Sequence, residues 1–402
     1  MANTYLTISM ITREGLRVLV NNLVFARNIN RDYDDQFAKS GAKIGATINI
    51  RKPPRYIGRT GDALSVEPAT ETSIPLTLTT LFGVDLEFSD ADLLLSIDDF
   101  KKRFISPSMS KIANKIDFDG LRLYKQVPSF VGTPGTTPTA LLTYLLAGVA
   151  LDNESCPQDG QRNMVITSLM LATIVDALKG LFQAAQQLSM QYRKGRMGEA
   201  VNFQWYMDQN VATHKVGPLG GAPLTNGANQ QGSTLLIKGW TAAAAPRVKA
   251  GDNFTIAGMN AVNPQSYDSI GSLRQFCFTT DLASDGAGNM VAGIYPPITP
   301  GGAFQTVDVL VGDGVALTIN GAANASSPTG LAYHPDAFTL GTADLDLPRG
   351  TDMAERIASK ELGISIRFIR DYDIKSNTRP CRSDVLYGYA APRPELACRI
   401  AA

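Results

Sequence analysis

The spacing of apolar residues predicts a helical arm at the start of the chain. Ile8, Ile11, Leu19 and Leu23 recur at near-helical spacing, with charged residues between them. A helix with one apolar stripe has to bury that stripe, and the neighbouring sequence contains no obvious partner helix. We therefore expect an amphipathic arm over residues 1–40 that packs on the rest of the chain or on another copy.

Alternating apolar and polar residues predict a β-ribbon over residues 41–88. A first strand covers Thr47 to Arg51 and a second begins near Ile74. Residues 58–73 between them are rich in Gly, Thr, Ser and Glu, which predicts a polar hairpin tip. An isolated ribbon is only marginally stable in water, so this one needs a surface to lie on.

A long helix is predicted within residues 89–130. Ser106 followed by Pro107 is typical of a helix start, with the serine as N-cap and the proline at the first helical position. Apolar residues then fall on one face as far as Val127, and charged residues fall on the other. We expect a spine helix that lies across a sheet with its charged side exposed.

The following segment predicts an α/β domain over residues 131–225. A stretch rich in Gly, Thr and Pro at 131–138 precedes a helix, a strand from Asn163 and a second helix from Ser168. The apolar run from Leu141 to Leu151 is too short to cross a membrane. We therefore expect it to form a buried helix.

The composition changes after about residue 215. No Glu occurs between Glu199 and Glu355, and Gly, Asn, Ala, Thr and Ser dominate. Short apolar runs separated by turn residues recur through residues 226–330, which predicts an inserted all-β domain of barrel or sandwich type.

Residues 331–402 return to mixed structure. Alternating runs near Ile364 and Val385 predict strands, which we expect to pair with the 41–88 ribbon. The predicted fold class is therefore α+β, with an inserted all-β domain.

The charges of the chain balance overall but are unevenly distributed. Lys and Arg number 37, as do Asp and Glu, and this balance argues against a dedicated nucleic-acid binder. Residues 1–59 hold ten basic and four acidic residues (net +6), whereas residues 60–100 hold nine acidic and no basic residues (net −9). Two alternatives are open: the blocks neutralise each other within one subunit, or the acidic ribbon of one copy meets the basic block of the next. The candidates for contacts between copies are Arg51, Lys52, Arg55, Arg59, Asp62, Glu67 and Glu71.

Residues suited to catalysis are sparse. His214 and His334 have no Cys, His or paired carboxylates near them at metal-ligand spacing, and no nucleophile or phosphate-binding motif occurs. We therefore expect no enzyme activity, no metal and no cofactor. The four cysteines are widely spaced, which predicts reduced, mostly buried thiols. No secretion signal opens the chain and no apolar stretch is long enough to span a bilayer, so we expect no membrane association.

Several stretches of the sequence resemble one family, the P22-like coat proteins of short-tailed phages. The similar stretches are Asn22–Tyr33, Gly41–Pro53, Lys249–Gly258, Ala261–Pro264, Asp371–Ile374 and Arg382–Gly388. Lys249–Gly258 is the most specific of them. The order of predicted elements is also similar to the HK97-like capsid fold, of which this family is a branch with an insertion domain.

The resemblance implies a capsid protein whose hexamers and pentamers form an icosahedral procapsid around a scaffolding protein and a portal. The shell would assemble in the host cytoplasm, expand as double-stranded DNA is packaged non-specifically, and become the capsid of the virion. A decoration protein is a further possible partner. In that fold residues 41–88 would be the extended loop with strands of the peripheral domain, and 89–130 would contain the spine helix of that domain. Residues 131–225 would be the axial domain, and 331–402 would return to the axial and peripheral domains. The 226–330 insertion would face outward.

Two further sets of candidates follow from that picture. The basic residues of the arm, which could face the interior of the shell, are Arg13, Arg17, Arg27 and Arg31. Expansion needs two packed arrangements of one chain, and the candidate hinges are Gly83, Pro107, Gly132 and Gly135.

Other classes of protein are less consistent with the sequence. An encapsulin-type compartment shell would share the fold, but the inserted β-domain is not expected there. A β-rich adhesin would explain residues 226–330 alone and leave the α/β remainder unexplained. An enzyme is the weakest alternative because the reactive groups are missing.

Overall fold

The computed structural model describes residues 13–19, 23–32, 45–64, 66–67, 69, 71–88, 101–178, 198–358, 364–375 and 378–402. The chain divides into two units. Unit 1 comprises Met1–Arg51, Ser73–Gly120 and Phe338–Pro392, and unit 2 comprises Lys52–Thr72, Leu121–Ala337 and Arg393–Ala402.

In chain order, the strands of the described residues are β1 (Thr47–Arg51), β2 (Ser73–Thr77), β3 (Thr80–Phe88), β4 (Ser129–Val131), β5 (Asn163–Ile166), β6 (Glu199–Ala200), β7 (Phe203–Met207), β8 (Thr213–Lys215), β9 (Gly221–Thr225), β10 (Gly232–Trp240), β11 (Pro246–Val248), β12 (Asn253–Val262), β13 (Ser269–Phe278), β14 (Leu282–Ala283), β15 (Met290–Ile298), β16 (Leu317–Ile319), β17 (Ser326–Tyr333), β18 (Thr339–Ala343), β19 (Met353–Ala358), β20 (Ser365–Arg370), β21 (Arg379–Ala390) and β22 (Ala397–Ala401). The α-helices are α1 (Ser106–Leu121), α2 (Leu141–Asn153) and α3 (Ser168–Leu178). Short 3-10 turns occupy Ala26–Asn28, Arg122–Gln126, Pro335–Ala337 and Pro394–Leu396. Among the described residues, no helix is both long enough and apolar enough to cross a membrane.

In unit 1, strand β21 forms the centre of a five-stranded antiparallel sheet. β3 pairs along one side of β21, and β20 and β18 share the other side. β19 pairs with β20 and extends the sheet. The β3–β21 ladder confirms the prediction that a strand near Val385 pairs with the 41–88 segment. β20, which contains Ile366 of the other predicted run, instead pairs with β19 and β21.

The ribbon strands β1 and β2 also belong to unit 1. They pair antiparallel, with Thr47 opposite Thr77 and Arg51 opposite Ser73, which confirms the predicted ribbon. The ribbon lies on apolar residues of the same unit, and the buried members of this cluster are Ile50, Leu76, Leu78, Ala343, Leu386 and Ala390. This cluster is the surface that an otherwise marginal two-stranded ribbon requires.

Helix α1 begins differently from the prediction. The α-helix begins at Ser106, close to the predicted position, but Lys101–Ile105 forms a π-helical turn that continues directly into it. Ser106 therefore lies inside a continuous helix, and its prediction as the N-cap was wrong. Proline has no N–H to donate, and its ring crowds the carbonyl one turn earlier. The wider π-turn in front of Pro107 accommodates both effects, and it leaves no sequence pattern that would reveal it. The α-helix ends at Leu121, and the 3-10 turn Arg122–Gln126 continues it to the predicted end at Val127.

One side of α1 is tied to the sheet and to the arm within unit 1. The Tyr389 hydroxyl donates to the Ile116 carbonyl (3.0 Å), and the buried Asp117 carboxylate accepts the N–H groups of Val24 (2.6 Å) and Ala26 (2.8 Å). These bonds fix the arm residues 23–30 on α1. Residues 13–19 are helical, as predicted, whereas residues 23–32 form turns with the short 3-10 segment Ala26–Asn28, so the predicted helical spacing at Leu23 was wrong. The rest of the predicted arm lies outside the described residues.

Unit 2 contains a seven-stranded mixed sheet with the order β4-β22-β17-β5-β7-β6, in which β8 also pairs with β17. The pairs β4–β22 and β5–β7 are parallel, and the others are antiparallel. This axial sheet joins residues from the middle of the chain to its last strand. β4 lies at one end of the strand order.

Helix α2 is buried on one face only. The prediction of a buried helix is therefore confirmed for that face and wrong for the opposite face. Tyr144, Ala147 and Leu151 are buried, and Tyr144 contacts Trp205 of β7 with ring centroids 5.2 Å apart. On the opposite face Leu142 is 62% exposed and Val149 is 49% exposed. An apolar run identifies a helix that is to be buried, but it does not say whether the chain itself or a partner buries it.

The inserted domain of unit 2 is a closed antiparallel barrel. Its six-stranded order is β16-β12-β13-β15-β10-β9. The Thr225 N–H donates to the Val315 carbonyl (2.9 Å), and a bridge joins Leu224 to Ala316, which brings the two ends of the order together. The barrel strands run from Gly221 to Ile319, whereas β17, from Ser326, belongs to the axial sheet. The predicted insertion, 226–330, is therefore displaced by several residues at both ends.

The barrel has a dense aromatic core. The Phe254 ring stacks on the rings of Phe276 (5.5 Å between centroids) and Phe278 (4.4 Å), and all three side chains are fully buried. Aliphatic residues of the neighbouring strands complete this core. Burial of this much apolar surface is the main source of the stability of such a domain.

Candidate functional site

The predicted contact residues lie mainly on one loop of unit 2, Lys52–Thr72, which we call the charged loop. Its basic start is bound to the same chain. The Arg55 guanidinium lies 3.6 Å from the Glu395 carboxylate and 5.8 Å from the centre of the Phe304 ring. The Tyr267 hydroxyl donates to the Tyr56 carbonyl (3.2 Å). Sequence reasoning missed Glu395 and Tyr267 because both lie far along the chain from the loop.

Glu395 is the centre of a small charged cluster. Besides Arg55 it lies 3.8 Å from Arg393, and it accepts a hydrogen bond from the Tyr295 hydroxyl (2.8 Å). Burial lowers the pKa of Lys52, an effect that Glu395 opposes and that the charges of Arg55 and Arg393 reinforce. Burial and the nearby Glu395 carboxylate raise the pKa of Tyr295 well above its ordinary value. The cluster therefore anchors the first residues of the charged loop on their own subunit.

The middle of the charged loop is held by its own carboxylate. Glu67 accepts the N–H groups of Ile57 and Gly58, each at 2.8 Å, and Gly58 has a φ of +78° that favours glycine. Arg59 donates to the Gly61 carbonyl. Arg51, which ends β1, and Asp62 and Glu71 in the loop are exposed. The loop also exposes apolar side chains, the largest of which are Tyr56, Ile57, Leu64 and Val66.

Charged residues of the two blocks form ion pairs with residues outside the blocks. Arg55, from the basic block, pairs with Glu395, and Asp85, from the acidic block, pairs with Arg382 (2.8 Å). Both partners lie outside residues 1–100. At these two positions the charges are therefore neutralised within the subunit by residues that lie outside both blocks, which neither alternative included.

The basic residues of the arm are mostly at the surface. Arg13, Arg17 and Arg27 are exposed, and Arg31 is half-buried. Arg17 lies 2.7 Å from Glu14, three residues earlier on the same helical segment. Such an exposed pair contributes little to stability.

The four hinge candidates occupy ordered positions. Gly83 lies within the β3–β21 ladder opposite Asp384, where a Cβ atom would collide with the Ser383 carbonyl. The close approach of β3 and β21 therefore explains why this position is a glycine, and no hinge role is needed to explain it. Pro107 lies inside a continuous helix.

Gly132 and Gly135 form the turn after β4. Their φ angles are +89° and +84°, which L-residues rarely adopt. The Gly135 N–H donates to the carbonyl of Ala402 (3.1 Å), so the turn is tied to the last residue of the chain. Whether these positions bend in a shell stays a prediction.

A second set of polar contacts joins the barrel to the axial sheet within unit 2, and we call it the junction. Asp252 is its centre, with a fully buried carboxylate. That carboxylate lies 2.8 Å from His214 Nε2 and accepts the N–H groups of Gly217 (3.0 Å) and Lys249 (2.8 Å). On its other side, His214 Nδ1 lies 3.0 Å from the Tyr124 hydroxyl. Directly and through His214, this carboxylate links the 3-10 turn Arg122–Gln126, β8 and the turn between β11 and β12.

Arg399 of β22 completes this side of the junction. Its Nη1 donates to the Gly251 carbonyl (2.5 Å), and its guanidinium lies 5.8 Å from the centre of the Tyr124 ring. Burial lowers the pKa of Arg399, and burial raises the pKa of Tyr124 to about 12. Gly251 has a φ of +93°, which explains why this position of the Lys249–Gly258 segment is a glycine.

Gln275 of β13 covers one end of the axial sheet. Its Oε1 accepts the Phe130 N–H (2.6 Å), and its Nε2 donates to the Phe130 carbonyl (3.0 Å). Since Phe130 lies in β4, the side-chain amide pairs with this strand as a neighbouring strand would. Next to it, the buried Arg274 and Glu154 form an ion pair at 2.5 Å. Burial raises the pKa of Glu154, and the charge of Arg274 opposes that shift.

The polar side chains of the junction are occupied by structural contacts. His214 lies between the Asp252 carboxylate and the Tyr124 hydroxyl, and burial raises the pKa of Tyr124 to about 12, so this hydroxyl stays protonated at neutral pH. Within the described ranges, no group of three metal-ligating side chains occurs. All four cysteines are free and buried, which confirms the predicted burial. Burial raises their pKa values to between about 11 and 12, so the thiols are poor nucleophiles.

One family model matches the chain. It is described as P22 coat protein, gene protein 5, and it matches residues 222–399. The quoted stretches Lys249–Gly258 and Arg382–Gly388 lie inside the match, whereas Asn22–Tyr33 and Gly41–Pro53 lie outside it. The chain matches no curated protein.

Solved capsid structures are similar to the chain at low sequence identity. A structure from Mycobacterium phage Che8 is 12% identical and covers 94% of this chain and 90% of its own, with a TM-score of 0.45. The I-domain of the CUS-3 coat protein is 20% identical and covers 26% of this chain and 97% of its own (TM-score 0.19). A virus-like particle from Pyrococcus furiosus is 8% identical and covers 98% of both chains (TM-score 0.36). All three TM-scores lie below 0.5, so these superpositions do not decide between kinds of shell.

Proposed function

Because a P22 coat protein family model matches residues 222–399, we propose that the chain is a tailed-phage major capsid protein of the P22-like type. We propose further that it assembles with a scaffolding protein and a portal into a procapsid. The procapsid then expands as double-stranded DNA enters. The protein is a structural component of the virion and not an enzyme. Assembly in the host cytoplasm, non-specific contact with the packaged DNA and binding of a decoration protein are further parts of the proposal.

The observation that carries the proposal is the extent of the family match. Residues 222–399 include nearly all of the barrel together with strands β17 to β22. Those strands contribute to the axial sheet of unit 2 and to the five-stranded sheet of unit 1. The match is therefore not limited to an inserted module that unrelated proteins could share, and it supports a coat-protein role for the whole chain.

We propose that the charged loop makes contacts between neighbouring copies. Its supporting features are the exposed charges of Asp62 and Glu71 and the exposed apolar side chains of Ile57, Leu64 and Val66. Exposed apolar residues on an ordered loop are typical of a surface that a partner covers. In a closed shell, many such weak contacts act together, and each can still dissociate while errors are corrected.

The arm and the hinges have proposed roles as well. The exposed Arg13, Arg17 and Arg27 suit an inner surface that first meets the scaffolding protein and later tolerates DNA. Expansion would change the backbone at Gly132 and Gly135 more than at Gly83, since the ladder around Gly83 is continuous. An encapsulin-type compartment shell is less consistent with the chain because of the inserted barrel.

Negative-stain microscopy tests the proposed function. The chain is expressed alone and together with a scaffolding protein, and the particles are purified by sedimentation. We expect closed, uniform shells in the co-expressed sample. Monodisperse single subunits under all conditions would contradict the proposal.

A further inference from the structure

Helix α2 carries two apolar stripes on opposite faces. The buried stripe contains Tyr144, Ala147 and Leu151. The second stripe follows the spacing i, i+3, i+4, i+7 and is exposed: Leu142 (62%), Leu145 (40%), Leu146 (44%) and Val149 (49%). We call these four residues the free stripe. Between Leu141 and Leu151 the helix contains no charged residue.

The free stripe continues into a groove of the same unit. Leu146 and Val149 form one wall of this groove, and Leu273 of β13, which is 41% exposed, lies on its other side. The groove has a volume of about 260 Å³. The amide of Gln275, which also lines it, is already bonded to both backbone groups of Phe130. Arg274 and Glu154, which also line the groove, are paired with each other. The exposed apolar side chains of Leu146, Val149 and Leu273 therefore suit an apolar occupant.

We infer that the free stripe of α2 binds a second copy of the chain, as the apolar centre of a contact between neighbouring subunits of one capsomer. The inference rests on the proposed function, because it needs a chain that surrounds itself with copies. One observation and one consequence of the proposed function favour a copy over other partners. The stripe offers no charge to a charged ligand, and a shell subunit has lateral neighbours that stay in place permanently.

The size of the free stripe is consistent with that role. Three leucines and a valine at these exposures leave roughly 400 Å² of accessible surface, about half of what one partner gives to a standard interface. The centres of permanent interfaces are apolar and surrounded by polar residues. In a ring the contact is heterologous, so the stripe meets a different surface of the neighbour and each subunit contributes one of each.

The first test compares two substitutions at equal exposure. Leu142→Glu places a charge on the free stripe, and Val291→Glu places one on the barrel at a residue that is also 62% exposed. Both variants should keep the circular dichroism spectrum of the wild-type subunit. We expect Leu142→Glu to lower the assembled fraction about tenfold or more, since one unpaired buried charge is repeated at every contact. Val291→Glu should assemble as the wild type does.

A second measurement uses the unmodified chain, so it holds even if a variant fails to fold. Hydroxyl-radical labelling with mass spectrometry compares free subunits with shells of the coat protein alone. We expect labelling of Leu142, Leu145 and Val149 to fall at least about fivefold on assembly, as expected for side chains moved from water into an interface. Protection that is already present in the free subunit, or that appears only after another protein is added, would overturn the inference.

The two possible failures are distinguishable. Wild-type chains that never form shells contradict the proposed function. Normal shells from Leu142→Glu, or unchanged labelling of the stripe in wild-type shells, contradict only the inference about α2.

Discussion

The junction and the charged loop both belong to unit 2, and both are rich in polar contacts, yet they differ in burial. In the junction, the side chains of Arg274 and Glu154 are 5% and 10% exposed, and the Asp252 carboxylate is fully buried. In the charged loop, Asp62 and Glu71 are exposed, and Glu67 accepts hydrogen bonds from the backbone of the loop itself.

This difference separates two uses of the same side chains. A buried charge needs its partner in one geometry, because an unpaired charge inside a protein is costly. The junction therefore fixes the barrel on the axial sheet. Charges exposed on a loop cost little to leave in water and influence which partner approaches and in what register. We expect substitutions in the junction to change folding and substitutions in the charged loop to change assembly.

The largest effect on stability is expected at the buried ion pair. Glu154→Ala should lower the free energy of unfolding by about 3–5 kcal/mol, because it leaves Arg274 buried without its partner. Urea unfolding of the subunit measures this, with the fluorescence of Trp205 and Trp240 as the signal; both tryptophans lie in unit 2. The double change Glu154→Leu with Arg274→Met should be much milder, since no unpaired charge remains.

An exposed ion pair provides the control. Arg382 and Asp85 have side chains that are 58% and 67% exposed. Arg382→Ala should therefore change the free energy of unfolding by less than about 1 kcal/mol, followed by circular dichroism. Equal losses at the buried and the exposed pair would contradict the distinction drawn between the two regions.

A smaller loss is expected at Gln275. Gln275→Ala removes both partners of the Phe130 backbone and should cost about 1–3 kcal/mol. Hydrogen exchange at the Phe130 amide should become faster. Gln230 is a matched control, because its amide bonds both backbone groups of Leu236 in the same way but at an exposed position. Gln230→Ala should cost less, since water can replace the lost partner there.

In the charged loop the expected effect on stability is smaller still. Glu67→Lys combined with Glu71→Lys should change the free energy of unfolding by less than about 0.5 kcal/mol, as is usual for surface changes, but should impair assembly. Sedimentation of co-expressed particles measures the assembled fraction. Because Glu67 also accepts the Ile57 and Gly58 N–H groups, Glu67→Gln serves as a control that keeps the acceptor. Normal particles from the double variant would refute a role of the loop between copies.

The smallest effect concerns an exposed carboxylate of the barrel. The hydrogen bonds from Lys238 and from the Gly227 N–H lower the pKa of Asp313 below its ordinary value of 3.8. A carboxylate with a lowered pKa in the folded state stabilises the fold above pH 3.8, and this stabilisation is lost as the pH falls through the folded-state pKa. Asp313→Asn should therefore flatten the decrease in melting temperature below that pH slightly. An unchanged slope would show that these bonds do not contribute.

Local sequence patterns predicted the elements whose conformation depends mainly on residues close together in the sequence. The alternation from Thr47 to Arg51 predicted β1, and the loss of Glu with frequent turn residues predicted an inserted β-domain. The π-turn before Pro107 was missed, because its cause is a proline inside a helix and not a recognisable start signal.

The junction could not be predicted from such patterns. Tyr124 meets His214 across 90 residues, and Phe130 meets Gln275 across 145. No periodicity links residues so far apart. Asp252 and Gly251 do lie in the Lys249–Gly258 segment that resembles the coat proteins, so the segment was recognised before its physical role was known. The exposed face of α2 was missed for a related reason, since one chain does not reveal what its copies cover.

The central claim is that buried contacts hold the barrel within each subunit and that exposed contacts join neighbouring copies. Cryo-electron microscopy of the assembled particles, at a resolution that shows side chains, tests this claim most directly. The account predicts closed shells in which His214–Asp252 and Arg274–Glu154 are retained within each subunit and the charged loop contacts a neighbour. Shells in which that loop touches only its own chain, or a chain that forms no shells, would contradict it.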